Sequence, residues 1–480
     1  MKQQVFNPFL PSWEYVPDGE PHVFDNRVYL YGSHDAFNGP DFCVNDYVGW
    51  SAPLDDLSDW RYDGVIYRAT QDPRNKDGKM HMCAPDCVQG PDGQYYLYYQ
   101  LHALQCTCVA VADRPEGPFE YYGCVQHPDG TPWGEKKGDA FVFDPGVLVD
   151  EDGKVYIYVG FAPAGFMRAV FKLRGNNIDG SFCLELEKDM KTVIGGEHPI
   201  APGPKKAKGT PWEGHAFFEA SSVRKIGKLY YYVYSSELSH ELCYAVSNTP
   251  TGGFKYGGTI VSIADIGYKG NDKPLNYTGN THGGMVELNG QWYIFYHRQT
   301  NQVKCSRQAC AETIVIMPDG SITQVEVTSC GLNGGPMCGK GSYEARIACN
   351  LNGKDGICCS DGARKTDKKH MLPYFTQSGR DRESDGDQYI ANIHSGSWCC
   401  FKYFCFDGNE NLITVTVRGT AEGELIIGTF QKEKAAAIKI RPSEDWQKFT
   451  GEIHLPKGNL PLYFSYNGEG RIDFISFEIK

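Results

Sequence analysis

Five side chains capable of proton or metal chemistry recur at one place in a repeated phrase. Asp18, Asp86, Asp144, Glu219 and His282 stand 10 to 12 residues ahead of Tyr29, Tyr96, Tyr156, Tyr230 and Tyr293. Each of those tyrosines sits in a short run of aromatic and aliphatic residues that begins at a glycine or tight turn. Carboxylates gathered in one place repel each other. Where aromatic neighbours exclude water, one of them can keep its proton near neutral pH while another stays ionised. Phe143 precedes Asp144, and Phe217 and Phe218 precede Glu219. One protonated and one ionised carboxyl is the equipment that cleaves a glycosidic bond. A ring of acids can equally be structural, holding water or an ion, and spacing alone leaves both readings open.

The elements that must position these residues are strands. The marker tyrosines lie 67, 60, 74 and 63 residues apart. The dipeptides Asp92-Gly93, Asp152-Gly153 and Asn289-Gly290 are hairpin turns of the kind that precede a returning strand. Such a period leaves room for four strands and generous loops per repeat, and radial repetition brings equivalent positions together around one axis. Helical periodicity is scarce. The expected fold is all-β: a five-bladed β-propeller over residues 1–330, then a β-sandwich of jelly-roll type over residues 338–480. The breaker-rich stretch 331–336 forms the junction. In the second unit Leu412, Leu425, Leu460 and Ile472 begin short alternating runs suited to a sandwich.

With 480 residues the chain exceeds the size of one core, which also favours two domains. Its 47 basic and 59 acidic residues give a net charge of −12 without a basic cluster, which argues against nucleic acid and anionic membrane as partners. No apolar run is long enough to span a bilayer. The first residues lack the apolar core of a signal peptide, so a cytoplasmic location is expected. Eighteen cysteines admit a disulfide framework, a zinc site at Cys83 and Cys87 or Cys106 and Cys108, or reduced thiols packed as small hydrophobes. The pairs lack the usual two-residue spacing, and the adjacent Cys358-Cys359 and Cys399-Cys400 point to opposite faces of a strand. Reduced thiols are the reading adopted.

Asn7-Pro8-Phe9-Leu10-Pro11, Asp18 four residues before His22-Val23-Phe24, Asp144-Pro145, Glu219 ahead of Val223-Arg224-Lys225, His282-Gly283-Gly284 and Ser306-Arg307-Gln308 together resemble glycoside hydrolase family 43. The resemblance runs through about residues 6–320. It implies a five-bladed propeller acting by inversion on arabinose- or xylose-containing oligosaccharides. In it Asp18 is the general base, Glu219 the general acid and Asp144 the residue that tunes and orients Glu219. It makes Arg307 a sugar contact. It gives His282 a place at the axis, where a structural Ca2+ or a water cluster is held, and calls for no organic cofactor.

The chain also departs from the pattern. Asp18 is followed by Gly19 and Glu20, so Glu20 rivals it as base. Cys83 stands where an aromatic sugar platform is usual, so stacking is expected from Phe37, Trp50 or Phe218. Asp86 has either a substrate-bonding or a structural role. A propeller mouth closed by loops favours exo-acting removal of one terminal pentose, with α-L-arabinofuranose and β-D-xylose both open. The rivals are a retaining fructan- or sucrose-cleaving propeller, whose motifs are missing, and a non-catalytic sugar-binding propeller. Fragments of the second unit, notably residues 386–391 and 471–479, loosely resemble carbohydrate-binding module family 6. A sandwich that only buttresses the propeller is the alternative, and Trp398 and Tyr403 are its only candidate clamp.

Overall fold

The computed structural model describes residues 5–102, 104–163, 165–173, 175–357, 372–383, 387–430 and 434–480. The Cys358-Cys359 pair, Met1 to Gln4 and Gly386 lie outside them. The first blade is the antiparallel sheet Glu20–Phe24, Arg27–Tyr31, Tyr47–Pro53 and Arg61–Tyr67. The second is Met82–Gln89, Tyr95–Leu101, Thr107–Ala112 and Glu120–Cys124. The third is Gly146–Val149, Val155–Gly160, Gly180–Leu186 and Val193–Pro202, and the fourth Phe217–Ile226, Leu229–Ser236, Glu241–Ser247 and Lys255–Ser262. Met285–Leu288, Gln291–Gln299 and Arg307–Ile314 make the fifth. Two short helices, Gly165–Leu173 and Pro204–Ala207, interrupt the third repeat.

The repeated aromatic strand is the second of every blade, and its composition follows from where it lies. Successive side chains on a strand point to opposite faces. In Tyr95–Leu101, Tyr95, Leu97 and Tyr99 pack towards the first blade with Tyr31 and Tyr47. Tyr96 and Tyr98 pack towards the third with Val147 and Ile157. Buried on both faces, the strand reads as a continuous apolar run, not an alternating one. Leu229–Ser236 does the same, with Tyr230, Tyr232 and Tyr234 in one inter-blade core and Tyr231 and Val233 in the next.

The ring closes at both ends of the first repeat. Asn7 accepts from Ala311 N–H and donates from Nδ2 to the Ala311 carbonyl, each at 2.8 Å, tying the N-terminal segment to the last strand of blade five. Gly19 bridges Gly283 beside the axis. A Cβ on Gly284 would stand 2.3 Å from Glu20 Oε2, so the fifth repeat must present bare backbone there.

After a short 3-10 turn at Gly331–Asn333, two six-stranded sheets face each other. One is built around Trp398–Phe406 and Gly458–Glu469, the other around Gln388–His394, Leu412–Gly419 and Arg471–Ile479. Phe401, Phe404, Phe464, Phe474 and Phe477 fill the space between them. This β-sandwich is anchored to the propeller by polar contacts. Lys402 Nζ reaches Asp265 Oδ2 (3.2 Å) and Glu326 Oε1 (2.8 Å), Asn301 N–H donates to the Phe375 carbonyl (2.7 Å), and Arg382 Nη1 meets Glu14 Oε1 (2.8 Å).

Candidate active site

Asp18 and Asp144 each stand two residues before the innermost strand of their blades, whereas Glu219 and Asp86 lie inside theirs. Asp18 and Asp144 both adopt left-handed backbone, with φ of 58° and 46°, and Ala220, next to Glu219, has φ of 70°. Non-glycine residues accept this conformation at a cost of order 1–3 kcal/mol and tend to do so where a side chain must be aimed. Here each left-handed residue is a carboxylate or adjoins one.

Asp18 is buried and doubly held. Its Oδ1 lies 2.8 Å from Arg307 Nη1 and 3.2 Å from His297 Nδ1, and its N–H donates to the same imidazole nitrogen. Burial pushes the Asp18 pKa up, but the Arg307 charge outweighs it and holds the group well below the usual carboxylate range. Arg307 is itself gripped by Asp35, Nε to Oδ2 at 2.8 Å and Nη2 to Oδ1 at 2.9 Å, a bidentate pair that leaves Nη1 for Asp18. Phe42 lies over the guanidinium, 4.7 Å from its ring centre.

Glu219 is in the opposite electrostatic state. Burial, then the charge of Asp18, push it up to about 8, only partly offset by Arg307. Asp144 is raised by burial, then by the charges of Glu219 and Asp18. Its Oδ2 accepts from Ala220 N–H at 3.2 Å, which links it to the residue after Glu219. Asp18, Asp144 and Glu219, from blades one, three and four, thus lie close enough to influence one another's protonation. Phe143 and Phe218, the residues before Asp144 and Glu219, join Phe141 and Phe161 in an aromatic cluster that lowers the local dielectric. Cys83 faces the same region, its thiol pushed up by the Cys43 hydrogen bond, burial and the charges of Asp144 and Asp18.

At the axis beneath, His282 Nδ1 is 3.7 Å from Asp144 Oδ2 and His282 Nε2 is 3.9 Å from Glu20 Oε1. Burial pulls the imidazole down to about 4, so it is neutral. Glu20 is committed elsewhere: Oε2 accepts from Arg224 Nη2 (2.9 Å) and Ser222 Oγ (3.0 Å). Its place in this interior network removes it as a rival to Asp18. Glu20 Oε1 and His282 Nε2 are both buried without a hydrogen-bond partner among the described residues. Two orphaned acceptor or donor atoms facing one another across the axis fit a water cluster or a hydrated cation.

Two expectations for sugar contacts are corrected. Trp50 is 3% exposed, donates Nε1–H to Glu14 Oε2 (2.8 Å) and packs on Trp13 and Tyr62, so it belongs to the core between blades one and five. Asp86 is fully buried and saturated by His22 Nε2 (2.6 Å), Cys87 N–H (2.8 Å) and Val147 N–H (2.7 Å), locking three blades together. Phe218 stands beside Glu219, half-buried against Phe161. Phe37 is half-buried on the loop that also carries Asp35, and its N–H donates to Asp381 of the sandwich. In the sandwich, Tyr403 OH donates to Glu326 and Trp398 packs on Tyr463, so they do not form a facing pair.

Sequence reading missed Asp35, Phe42 and His297. All three lie outside the repeated phrase. The one available signal is their type: Ser33-His34-Asp35 and His297-Arg298 are polar residues at the far ends of strands that are otherwise apolar.

Comparison with known proteins follows the same lines. The family model "Glycosyl hydrolases family 43" matches residues 12–322. A "Xylosidase/arabinosidase" of Thermoclostridium stercorarium is 47% identical over 488 aligned residues, covering 100% of this chain and 99% of the relative. A crystal structure of a beta-xylosidase/alpha-arabinofuranosidase from a compost microbial metagenome, with xylotriose and in a calcium-free form, superposes with a TM-score of 0.52 at 26% identity over 68% of this chain and 98% of that one. An arabinoxylan arabinofuranohydrolase of Bacillus subtilis shares the whole two-part fold, with a TM-score of 0.53 at 19% identity over 99% of this chain and 97% of that one.

Proposed function

The chain belongs to glycosyl hydrolases family 43, and from that premise we propose that it removes terminal pentose, α-L-arabinofuranose or β-D-xylose, from plant cell-wall oligosaccharides by exo-acting, inverting hydrolysis. The observation that carries the reading is the opposed state of two neighbouring acids. Arg307, 2.8 Å from the carboxylate, keeps Asp18 ionised, while burial and the Asp18 charge push Glu219 up to about 8.

Glu219 gives its proton to the departing glycosidic oxygen. Asp18 takes a proton from a water that attacks the anomeric carbon from the other face, and inverting pairs stand roughly 6.5–9.5 Å apart to admit that water. Asp144 accepts the Ala220 amide and so fixes the backbone beside Glu219. Arg307 donates to Asp35 through Nε and Nη2 and to Asp18 through Nη1, so it sets the orientation of the base, and its Nη1 edge beside Asp18 is the proposed contact to the sugar. Phe218 and Phe37 are the proposed apolar contacts to the pentose ring.

At the axis, Glu20 Oε1 and His282 Nε2 would hold a hydrated cation, Ca2+ foremost, or a water cluster. One carboxylate oxygen and one imidazole leave most of an oxygen-seeking cation's coordination to water. Such a group would steady the His282 ring beneath Asp144. We expect a cytosolic setting, in which thiols such as Cys87, Cys183 and Cys243 pack as small buried hydrophobes.

The reading is tested by incubating the protein with nitrophenyl α-L-arabinofuranoside and nitrophenyl β-D-xyloside in parallel and following the released sugar by proton NMR. Release of one or both pentoses as the inverted anomer supports it. Retention of configuration, or no release from either glycoside, overturns it.

A further inference from the structure

A second titratable cluster lies in blade two, apart from the carboxylates. Cys106 immediately precedes the strand Thr107–Ala112, Cys108 lies within it, and Cys124 ends the neighbouring strand Glu120–Cys124 opposite Cys108. Their three sulfurs surround one guanidinium. Arg74 Nη1 is 2.6 Å from Cys124 Sγ and 3.0 Å from Cys106 Sγ, and Nη2 is 3.0 Å from Cys108 Sγ. The two remaining N–H groups go to Asp72, Nε to Oδ1 at 2.9 Å and Nη2 to Oδ2 at 2.7 Å. All five donors of the side chain are thereby engaged, three of them by sulfur.

A guanidinium donating to three sulfurs at once favours an anionic sulfur among them, because a neutral thiol is a weak acceptor. Cys106 Sγ lies 3.9 Å from Cys124 Sγ. A disulfide between them requires the sulfurs to close to roughly 2.05 Å. The cluster reaches solvent through Cys124, at 9% exposure, and through the Arg74 side chain, at 28%. Tyr121 closes it from below, its ring 5.6 Å from the guanidinium and its hydroxyl 3.6 Å from Cys124 Sγ. Tyr99 OH donates to Asp72 Oδ2 and contacts Tyr67 OH, completing the titratable groups that face the site. Hydrogen bonds from Cys106 and Cys108, and then the Arg74 charge, draw the Cys124 pKa far down, while burial pushes Cys108 the other way.

We propose that Cys124 is a reactive thiolate, held by Arg74, that reduces hydroperoxides and closes a reversible disulfide with Cys106. The Cys124 sulfur attacks the distal peroxide oxygen. The O–O bond breaks, an S–O bond forms, and the leaving oxygen departs with a proton as water or alcohol. The Cys106 thiol then attacks the sulfenic sulfur, the S–S bond forms, and the sulfenic oxygen leaves with the Cys106 proton as water. The sulfurs lose two electrons and the peroxide gains them. Two equivalents of a thiol donor then reduce the disulfide back to the Cys106 and Cys124 thiols and are themselves joined as a disulfide.

The test treats the full chain with hydrogen peroxide, blocks remaining thiols, cleaves at Glu116 and maps the linked peptides, in parallel with iodoacetamide labelling at pH 6. Cleavage at Glu116 separates Cys124 from the Cys106–Cys108 segment. The expected result is a linked peptide that dithiothreitol releases, that Cys124→Ser and Cys106→Ser abolish, and that Cys108→Ser keeps. Cys124 should label at least about tenfold faster than Cys106 and Cys108 at pH 6, because the thiolate is the nucleophile. Arg74→Gln should remove that advantage, and it serves as the second variant should Cys124→Ser not fold. A missing link, a link through Cys108, or Cys124 labelling no faster than its neighbours overturns the proposal.

Discussion

Arg307 Nη1 lies 2.8 Å from Asp18 Oδ1 while the rest of the same guanidinium is clamped by Asp35, so one buried cation serves two buried carboxylates. The clamp fixes where Nη1 points, and Nη1 fixes where Asp18 points. Asp35→Asn keeps the shape but removes half of the charge balance. Breaking a buried pair costs about 3–5 kcal/mol. We expect a large fall in melting temperature and at least a tenfold loss of kcat, read by thermal unfolding and by steady-state kinetics on nitrophenyl pentosides.

Asp18→Asn and Glu219→Gln each remove one member of the acid–base pair. Turnover should drop by about three orders of magnitude or more in either variant, with far-ultraviolet circular dichroism unchanged. Near-normal hydrolysis by either would reassign the roles.

The Glu219 carboxyl loses its proton in the unfolded chain near 4.5 but in the folded chain near 8. Between those values the native state holds one proton more, so this group makes stability fall as pH rises, and the loss is complete only above about 8. Glu219→Gln removes that slope. The variant should therefore be inactive yet unfold at a higher temperature than the parent at pH 8, with the difference shrinking towards pH 4.5. An equal melting difference at both pH values would contradict the assignment. In the parent, kcat should fall on the alkaline side near pH 8 as Glu219 ionises. No acid limb from Asp18 should appear between pH 5 and 8, because Arg307 holds it well below the usual carboxylate range.

Arg382 of the sandwich donates to Glu14 Oε1 and approaches His34 Nε2 at 2.6 Å, next to Asp35. Its neighbour Asp381 accepts the Phe37 N–H at 2.7 Å. We expect Arg382→Ala to raise KM for the pentosides several-fold while kcat changes less than twofold. Arg382→Lys should restore only part of the loss, since a lysine cannot reproduce the planar fork. Steady-state kinetics on both variants separate a positioning role from a merely structural one.

Removal of divalent cations with a chelator should lower the melting temperature if the axial site holds Ca2+, and added Ca2+ should restore it. His282→Ala should erase that response. An unchanged melting temperature on chelation would leave water as the occupant of the Glu20–His282 gap.

Asp18, Asp144 and Glu219 were legible in the chain because repetition is a one-dimensional signal. The aromatic second strand must fill two inter-blade cores, so it recurs in recognisable form, and counting back from it finds equivalent positions. The same count over-reached at Asp86, where the repeat position is real but its carboxylate is consumed by His22, Cys87 and Val147. Trp50 misled for a related reason: type and location suggested a platform, yet its indole donor is satisfied by Glu14 in the core.

What the amino-acid order by itself determined was the number of repeats, the strand in each and the acids that share one axis, since these follow from period and side-chain alternation. Only the folded chain decided the charge on each acid. Arg307 and His297 come from strands hundreds of residues away from Asp18 and Asp35 from the loop after Arg27–Tyr31, and protonation depends on the distance and burial of neighbours that no local spacing encodes.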